Sequence, residues 1–237
     1  MVSAGLALLA LAHAARFRRH VAIGRRLALE ARPFERRHGT GAARILVLGD
    51  SSGVGTGATS PEDSVAGRLA RAHPDIVIWN LAQNGLRTAG LIEPLRALQG
   101  HTFTAVLIHV GVNDIVRRTP LPPLREQLTE ALALARRLSD HVLVLTGGNL
   151  GLAPALPPGL GRLITRRTRA VRLLFVEVAA AAGAVYVDMF DGVIDKPFTD
   201  NPRRYFARDG FHPNSDGYAL WFDAIAAQMK RAGIRLA

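Results

Sequence analysis

The residue types and spacings in this chain point first to ester chemistry. An ester-cleaving serine needs a base to take its proton, a group to orient that base, and donors aimed at the developing oxyanion. Asp209 stands three residues before His212. One tight turn there carries the carboxylate to one imidazole nitrogen and leaves the other facing Ser51. Ser51 directly follows the apolar run RILVLG at 44–49, so its backbone N–H, at a strand-to-helix turn, is a natural oxyanion donor. Further donors come from neighbouring strand ends: Gly85 in the loop at 80–88, where the backbone can approach a ligand closely, and the side-chain amide of Asn113 in Gly111-Val112-Asn113-Asp114. The chain has no cysteine, which excludes a thiol nucleophile, disulfides, cysteine-bound zinc and iron-sulfur clusters together.

Those residues need a frame to bring them together. From Arg44 onward, five short β-rich runs (44–49, 75–80, 104–111, 141–147 and 184–189) alternate with helical patterns near 61–72, 88–99, 121–139, 160–182 and 214–232. Continuous apolar strands imply burial on both faces, so the expected fold class is α/β, a three-layer α/β/α sandwich around a five-stranded parallel sheet. Ser60, followed by Pro61-Glu62-Asp63, reads as the cap of the first of these helices. Ligands of such sheets bind outside the carboxyl ends of the strands. Of seven serines only Ser51 and Ser52 directly follow a strand, and of eight histidines only His109 and His212 survive. His13, His20 and His38 fall in the N-terminal extension, while His73, His101 and His141 precede strands. His109 has no acid at a comparable offset and reads as a strand residue facing the sheet or a helix. Asp50 and Asp114 read as carboxylates that hold loops by accepting backbone N–H bonds.

In four separated blocks the chain resembles the SGNH hydrolases, also called the GDSL esterase and lipase family. Gly49-Asp50-Ser51 is similar to the family's nucleophile block, and Asn80 with Gly85 to its glycine block. Gly111, Asn113 and Asp114 match its G-x-N-D block, and Asp209-Gly210-Phe211-His212-Pro213 matches D-x-x-H with the usual following proline. The resemblance covers residues 44–232 in order. It implies Ser51 as nucleophile, His212 as base and Asp209 as its orienter. It also implies Ser51, Gly85 and Asn113 as oxyanion donors, a flavodoxin-like sheet, and no metal cofactor. Block one departs from the family, reading GDSS rather than GDSL, and Arg87 separates Leu86 from Thr88 where members often place a small residue sooner after the glycine.

Rival readings explain fewer of these residues. Gly49–Gly53 also fits the G-x-S-x-G elbow of α/β-hydrolases, but there several strands precede the nucleophile and the acid is separated from the histidine. Gly53–Ala58 fits G-x-G-x-x-A, yet the second strand ends in Asn80 without the acid expected at a ribose. A metal-dependent phosphoesterase using Asp50, His109, Asn113, Asp114 and His212 lacks the D-x-H and G-H-x-H motifs of that chemistry. A non-catalytic, membrane-tethered binding module on the same fold would have no need of the intact blocks.

With 49% hydrophobic and 21% charged residues, 23 Gly and 13 Pro in 237 residues, the composition is that of a globular chain, not a disordered or collagen-like one. Just over half of the net charge of +11 lies in residues 1–43, where eight Arg face Glu30 and Glu35. No nucleic-acid motif accompanies it, and no protein partner is implied. The expected organisation is an N-terminal extension at 1–43 and the hydrolase domain at 44–237. Met1–Ala15 is apolar but for Ser3 and His13, too short to span a bilayer alone. Followed by Arg16–Arg37, it suits a helix on an anionic membrane surface, and positive-inside bias favours the cytoplasmic face. Cleaved export and packing on the domain are the alternatives. In the loop and basic helix at 147–172, Leu150, Leu152 and Leu156 are candidates for an acyl-chain wall, with Arg162, Arg166, Arg167 and Arg169 facing anionic headgroups. The expected substrates are medium-chain acyl esters or lysophospholipid-type lipids, with carbohydrate O-acetyl esters as the enzymatic alternative.

Overall fold

The computed structural model describes residues 2–38, 43–190 and 192–236; Met1, the start of the apolar segment, lies outside them. Five strands, β1 (Arg44–Gly49), β2 (Val77–Asn80), β3 (Ala105–His109), β4 (Val142–Leu145) and β5 (Val185–Tyr186), form one sheet in the order β2-β1-β3-β4-β5. Every neighbouring pair is parallel. The strand order reverses between β1 and β3, and the crevice beyond their carboxyl ends is where such sheets bind ligands.

The helices are α1 (Val2–Glu30), α2 (Ser51–Val54), α3 (Val65–Ala72), α4 (Ile92–Ala97), α5 (Val112–Val116), α6 (Leu121–Arg136), α7 (Gly161–Ala181), α8 (Gly192–Asp200), α9 (Pro202–Tyr205) and α10 (Ser215–Arg231). The period of two along each strand divides the core. Leu46, Leu48, Val106, Ile108, Val142 and Val144 face α4, α6 and α7. Ile45, Val47, Ala105, Leu107, Leu143 and Leu145 face α3, α8 and α10. Both faces are therefore covered, which is why the strands read as unbroken apolar runs.

Several boundaries differ from the sequence expectation. The first core helix splits. Residues 61–63 make a single 3-10 turn, Ser60 makes no side-chain cap, and Ser64 caps α3 by accepting from Gly67 N–H at 3.1 Å. The helix expected at 88–99 opens with a 3-10 turn at Thr88–Leu91 before α4, where Pro94 has no N–H to continue the ladder. Strand β5 is short because the chain turns away after Val187, with Asp188 bonded to Phe190 N–H and paired with Arg172. Neither α8 nor α9 was anticipated.

The N-terminal segment is tied to the domain. Arg36 and Ile78 exchange backbone bonds of 3.0 and 2.8 Å, an isolated antiparallel bridge on the edge strand β2. Its guanidinium donates to the carbonyls of Ala70 and Pro74, and the Arg37 guanidinium lies 4.6 Å from the centre of the Trp79 ring. The exposed edge of β2 is thereby partly covered.

Candidate active site

Ser51 is the first residue of α2, two residues beyond the last residue of β1. Asp50 caps this short helix, its Oδ1 accepting from Ser52 N–H at 2.9 Å and Ser52 Oγ–H at 2.8 Å. As a first-turn residue, Ser51 has no carbonyl four residues back to claim its N–H, which is left for another acceptor.

His212 Nε2 lies 3.0 Å from Ser51 Oγ, and His212 Nδ1 lies 2.5 Å from Asp209 Oδ2. A carboxylate only accepts, so the proton sits on Nδ1, and the Nε2 lone pair receives the serine hydroxyl. Asp209 Oδ1 accepts from the N–H groups of Phe211 and His212, closing the turn that the three-residue spacing suggested. Burial by itself raises the Asp209 carboxyl. The hydrogen bond and charge of His212, together with those two N–H groups, outweigh it and hold the group below the ordinary aspartate value. The chain Asp209–His212–Ser51 can therefore accept a proton from the hydroxyl while stabilising the imidazolium that results.

The other two blocks are joined to this one by hydrogen bonds. Asn80 Nδ2 donates to Gly53 O at 3.0 Å, fastening the end of β2 to the nucleophile turn. Asn113, on α5, donates from Nδ2 to Leu86 O at 3.0 Å, and its second amide hydrogen has no partner among the described residues. Asp114 accepts at Oδ2 from Thr88 N–H and Oγ1–H, and at Oδ1 from Thr119 Oγ1–H. Gly85 is exposed in the linked loop with φ +81° and open space where a side chain would begin. It answers to the left-handed backbone of a turn and not to crowding.

A cavity of about 50 Å³ adjoins Ser51 and His212. Its walls are apolar, with Leu150, Leu152, Ile194, Phe198, Phe211 and Trp221 among the lining residues. Leu150 and Leu152 are among these lining residues, whereas Leu156 is not. The loop is held by Asn149, whose N–H donates to Asp195 and whose Oδ1 accepts from Gly151 N–H and Thr165 Oγ1–H. On α7, Arg162, Arg166 and Arg169 are exposed, but Arg167 is half-buried and donates to Thr119 O.

Two contributions escaped the sequence reading. Helix α8 supplies Ile194 and Phe198 to the cavity; no periodic apolar run marks it, and Pro197 lies inside it without an N–H for the ladder. His20, set aside with the N-terminal extension, bonds through Nδ1 to the Asp209 carbonyl at 2.8 Å. The set imagined as metal ligands is used otherwise: Asp50 and Asp114 hold loops, and His109 is buried in β3. Among the described residues no group of three or more His, Asp or Glu is arranged to hold a metal ion.

A five-stranded parallel sheet in this order, with a Ser-His-Asp chain at its carboxyl edge, defines an SGNH-type hydrolase fold. The model of the GDSL-like lipase/acylhydrolase family matches residues 47–220, and the chain belongs to that family. It is 29% identical over 197 residues to the GDSL-like esterase Rv1075c of Mycobacterium tuberculosis, a match covering 79% of this chain and 62% of that protein. The chain therefore spans somewhat under two thirds of that relative's length. Among solved structures, TesA superposes with a TM-score of 0.63 at 22% identity, over 79% of this chain and 98% of the other. The esterase EstA from Pseudoalteromonas sp., in a structure inhibited by monoethylphosphonate, superposes with a TM-score of 0.59 at 22% identity, over 80% and 97%.

Proposed function

We propose that this protein hydrolyses carboxylic esters through a serine-bound acyl intermediate. The observation that carries the reading is the hydrogen-bonded Asp209–His212–Ser51 chain beside an apolar cavity at the switch point of the sheet. His212 Nε2 takes the Ser51 proton as Oγ attacks the carbonyl carbon. The tetrahedral oxyanion accepts from Ser51 N–H, Gly85 N–H and the Asn113 amide. His212 then protonates the departing alcohol. Water, deprotonated by the same nitrogen, releases the acid and restores the serine. No cofactor enters these steps.

The cavity supports short acyl groups. A cavity of about 50 Å³ with mostly apolar walls suits a short acyl group such as the acetyl of a carbohydrate O-acetyl ester. Medium-chain or lysophospholipid-type esters are the second reading. They require the Leu150–Leu152 turn to part from α8, and they are favoured by the outer face of α1. That face exposes Arg18, Arg19, Arg25 and Arg26 beside Leu11, Phe17, Val21 and Leu29, a pattern suited to lying on an anionic membrane surface. No helix among the described residues is long and apolar enough to cross a membrane. We place the protein at such a surface, on the cytoplasmic side.

The test is hydrolysis of chromogenic esters from acetyl to palmitoyl by the full chain, with Ser51→Ala as control. The expected optimum is at two to four carbons. An optimum at eight or more carbons favours the lipid reading, and turnover that survives Ser51→Ala overturns both.

A further inference from the structure

One stripe of α1 reaches the catalytic loops at every fourth residue. Arg16 Nη2 donates to Pro154 O at 3.0 Å, His20 Nδ1 lies 2.8 Å from Asp209 O, and Ala28 O accepts from Asn84 Nδ2 at 2.9 Å. Between them Gly24 packs so closely that a Cβ there would lie 3.0 Å from Asp209 Oδ2. Residues 16, 20, 24 and 28 form one ridge of an α-helix, and this ridge rests on the turn at 209–210, the loop at 154–155 and the loop of the glycine block. The Asp209 carbonyl can only accept, so the bridging proton belongs to His20 Nδ1.

We propose that α1 is part of the catalytic apparatus and that His20 is a positioning residue for the Asp209–His212 pair. The inference rests on the hydrolase reading above. His20 anchors the backbone of the acid whose side chain orients the base. Gly24 lets the helix backbone close over the same carboxylate, which is 2% exposed as a residue. A carboxylate kept fixed and dry interacts more strongly with the imidazolium that forms in the transition state. Both contacts act on the turnover step and neither reaches the cavity, so the expected signature is in kcat and not in KM.

The experiment uses the full chain and a short chromogenic ester, comparing wild type, His20→Ala, His20→Asn and Gly24→Leu. Asparagine keeps a donor at the position of Nδ1. The expected result for His20→Ala is a kcat about tenfold lower with KM within about twofold, and a matching fall in the rate at which a fluorophosphonate labels Ser51. Recovery by His20→Asn to within about threefold of wild type is also expected. Gly24→Leu, which leaves His20 in place, is expected to lower kcat by at least as much. His20→Ala with wild-type kcat overturns the proposal. So does a loss that is equal in the Ala and Asn variants and accompanied by a lowered melting temperature, because that marks a structural role. Absence of Ser51-dependent turnover in the wild type contradicts the hydrolase reading itself, and so separates the two failures.

Discussion

At the residue scale, the polar groups around Ser51 divide into those that the proposed reaction uses and those that cost stability. Asn113 is of the first kind. Its replacement by alanine removes a donor from the proposed oxyanion site and is expected to lower kcat roughly a hundred- to thousandfold in steady-state assays, with KM little changed. His109 is of the second kind, with both ring nitrogens buried and unpartnered among the described residues. Burial lowers its pKa from 6.5 to about 3. Burial likewise raises the Asp50 carboxyl from 3.8 to about 6, against the opposing bonds from Ser52. The two work in opposite directions. The unfolded chain protonates His109 first, so its contribution to stability falls as pH drops from about 6.5 towards 3. The folded chain protonates Asp50 first, so that contribution rises as pH drops from about 6 to about 4. His109→Leu removes the first effect and two unpaired polar atoms. The variant is expected to melt several degrees above wild type at pH 7, and by a wider margin at pH 4.5, where the linkage adds on the order of 3 kcal/mol. Thermal melts across that range check it; a margin that narrows on acidification contradicts the assignment.

At the scale of elements, the site is a set of strand-end loops fastened to one another. Asp114 joins α5 to the loop of the glycine block through two hydrogen bonds from Thr88, and a third from Thr119 ties down the segment that follows α5. Asp114→Ala strands the Thr88 and Thr119 donors, and the expected cost is about 3 kcal/mol in chemical denaturation. Turnover should fall too, because Asn113 and Gly85 lose their common support. The strands, the nucleophile turn and the Asp209–His212 turn were legible in sequence because each is set locally, by apolar runs or by a three-residue spacing. What was not legible depends on packing between distant segments. Helix α8 carries Pro197 and is held through Ile194 and Phe198 against the cavity. The start of α3 was misread because Ser60 and Ser64 are both credible caps, and only the folded backbone chooses Ser64. His20 lies 189 residues from Asp209 in sequence, so no local pattern could join them. A spacing of four that places Arg16, His20, Gly24 and Ala28 on one ridge was the signal available.

At the scale of the whole molecule, charge and chemistry occupy different surfaces. The inner ridge of α1 meets the catalytic turn while its outer face exposes the arginines, so the proposed membrane contact need not block the site. The full chain is expected to sediment with vesicles containing anionic lipid and not with neutral ones. Binding should weaken as salt rises, and replacing Arg18, Arg19, Arg25 and Arg26 by glutamine should abolish it with ester hydrolysis in solution retained. Equal binding to neutral vesicles contradicts an electrostatic contact. The central claim concerns Ser51, and intact-mass measurement of the whole chain after exposure to a fluorophosphonate tests it most directly. The account predicts a single phosphonyl adduct that maps to Ser51, is absent in Ser51→Ala and forms far more slowly in His212→Ala. A folded chain that takes up no adduct, or an adduct that persists in Ser51→Ala, would contradict it.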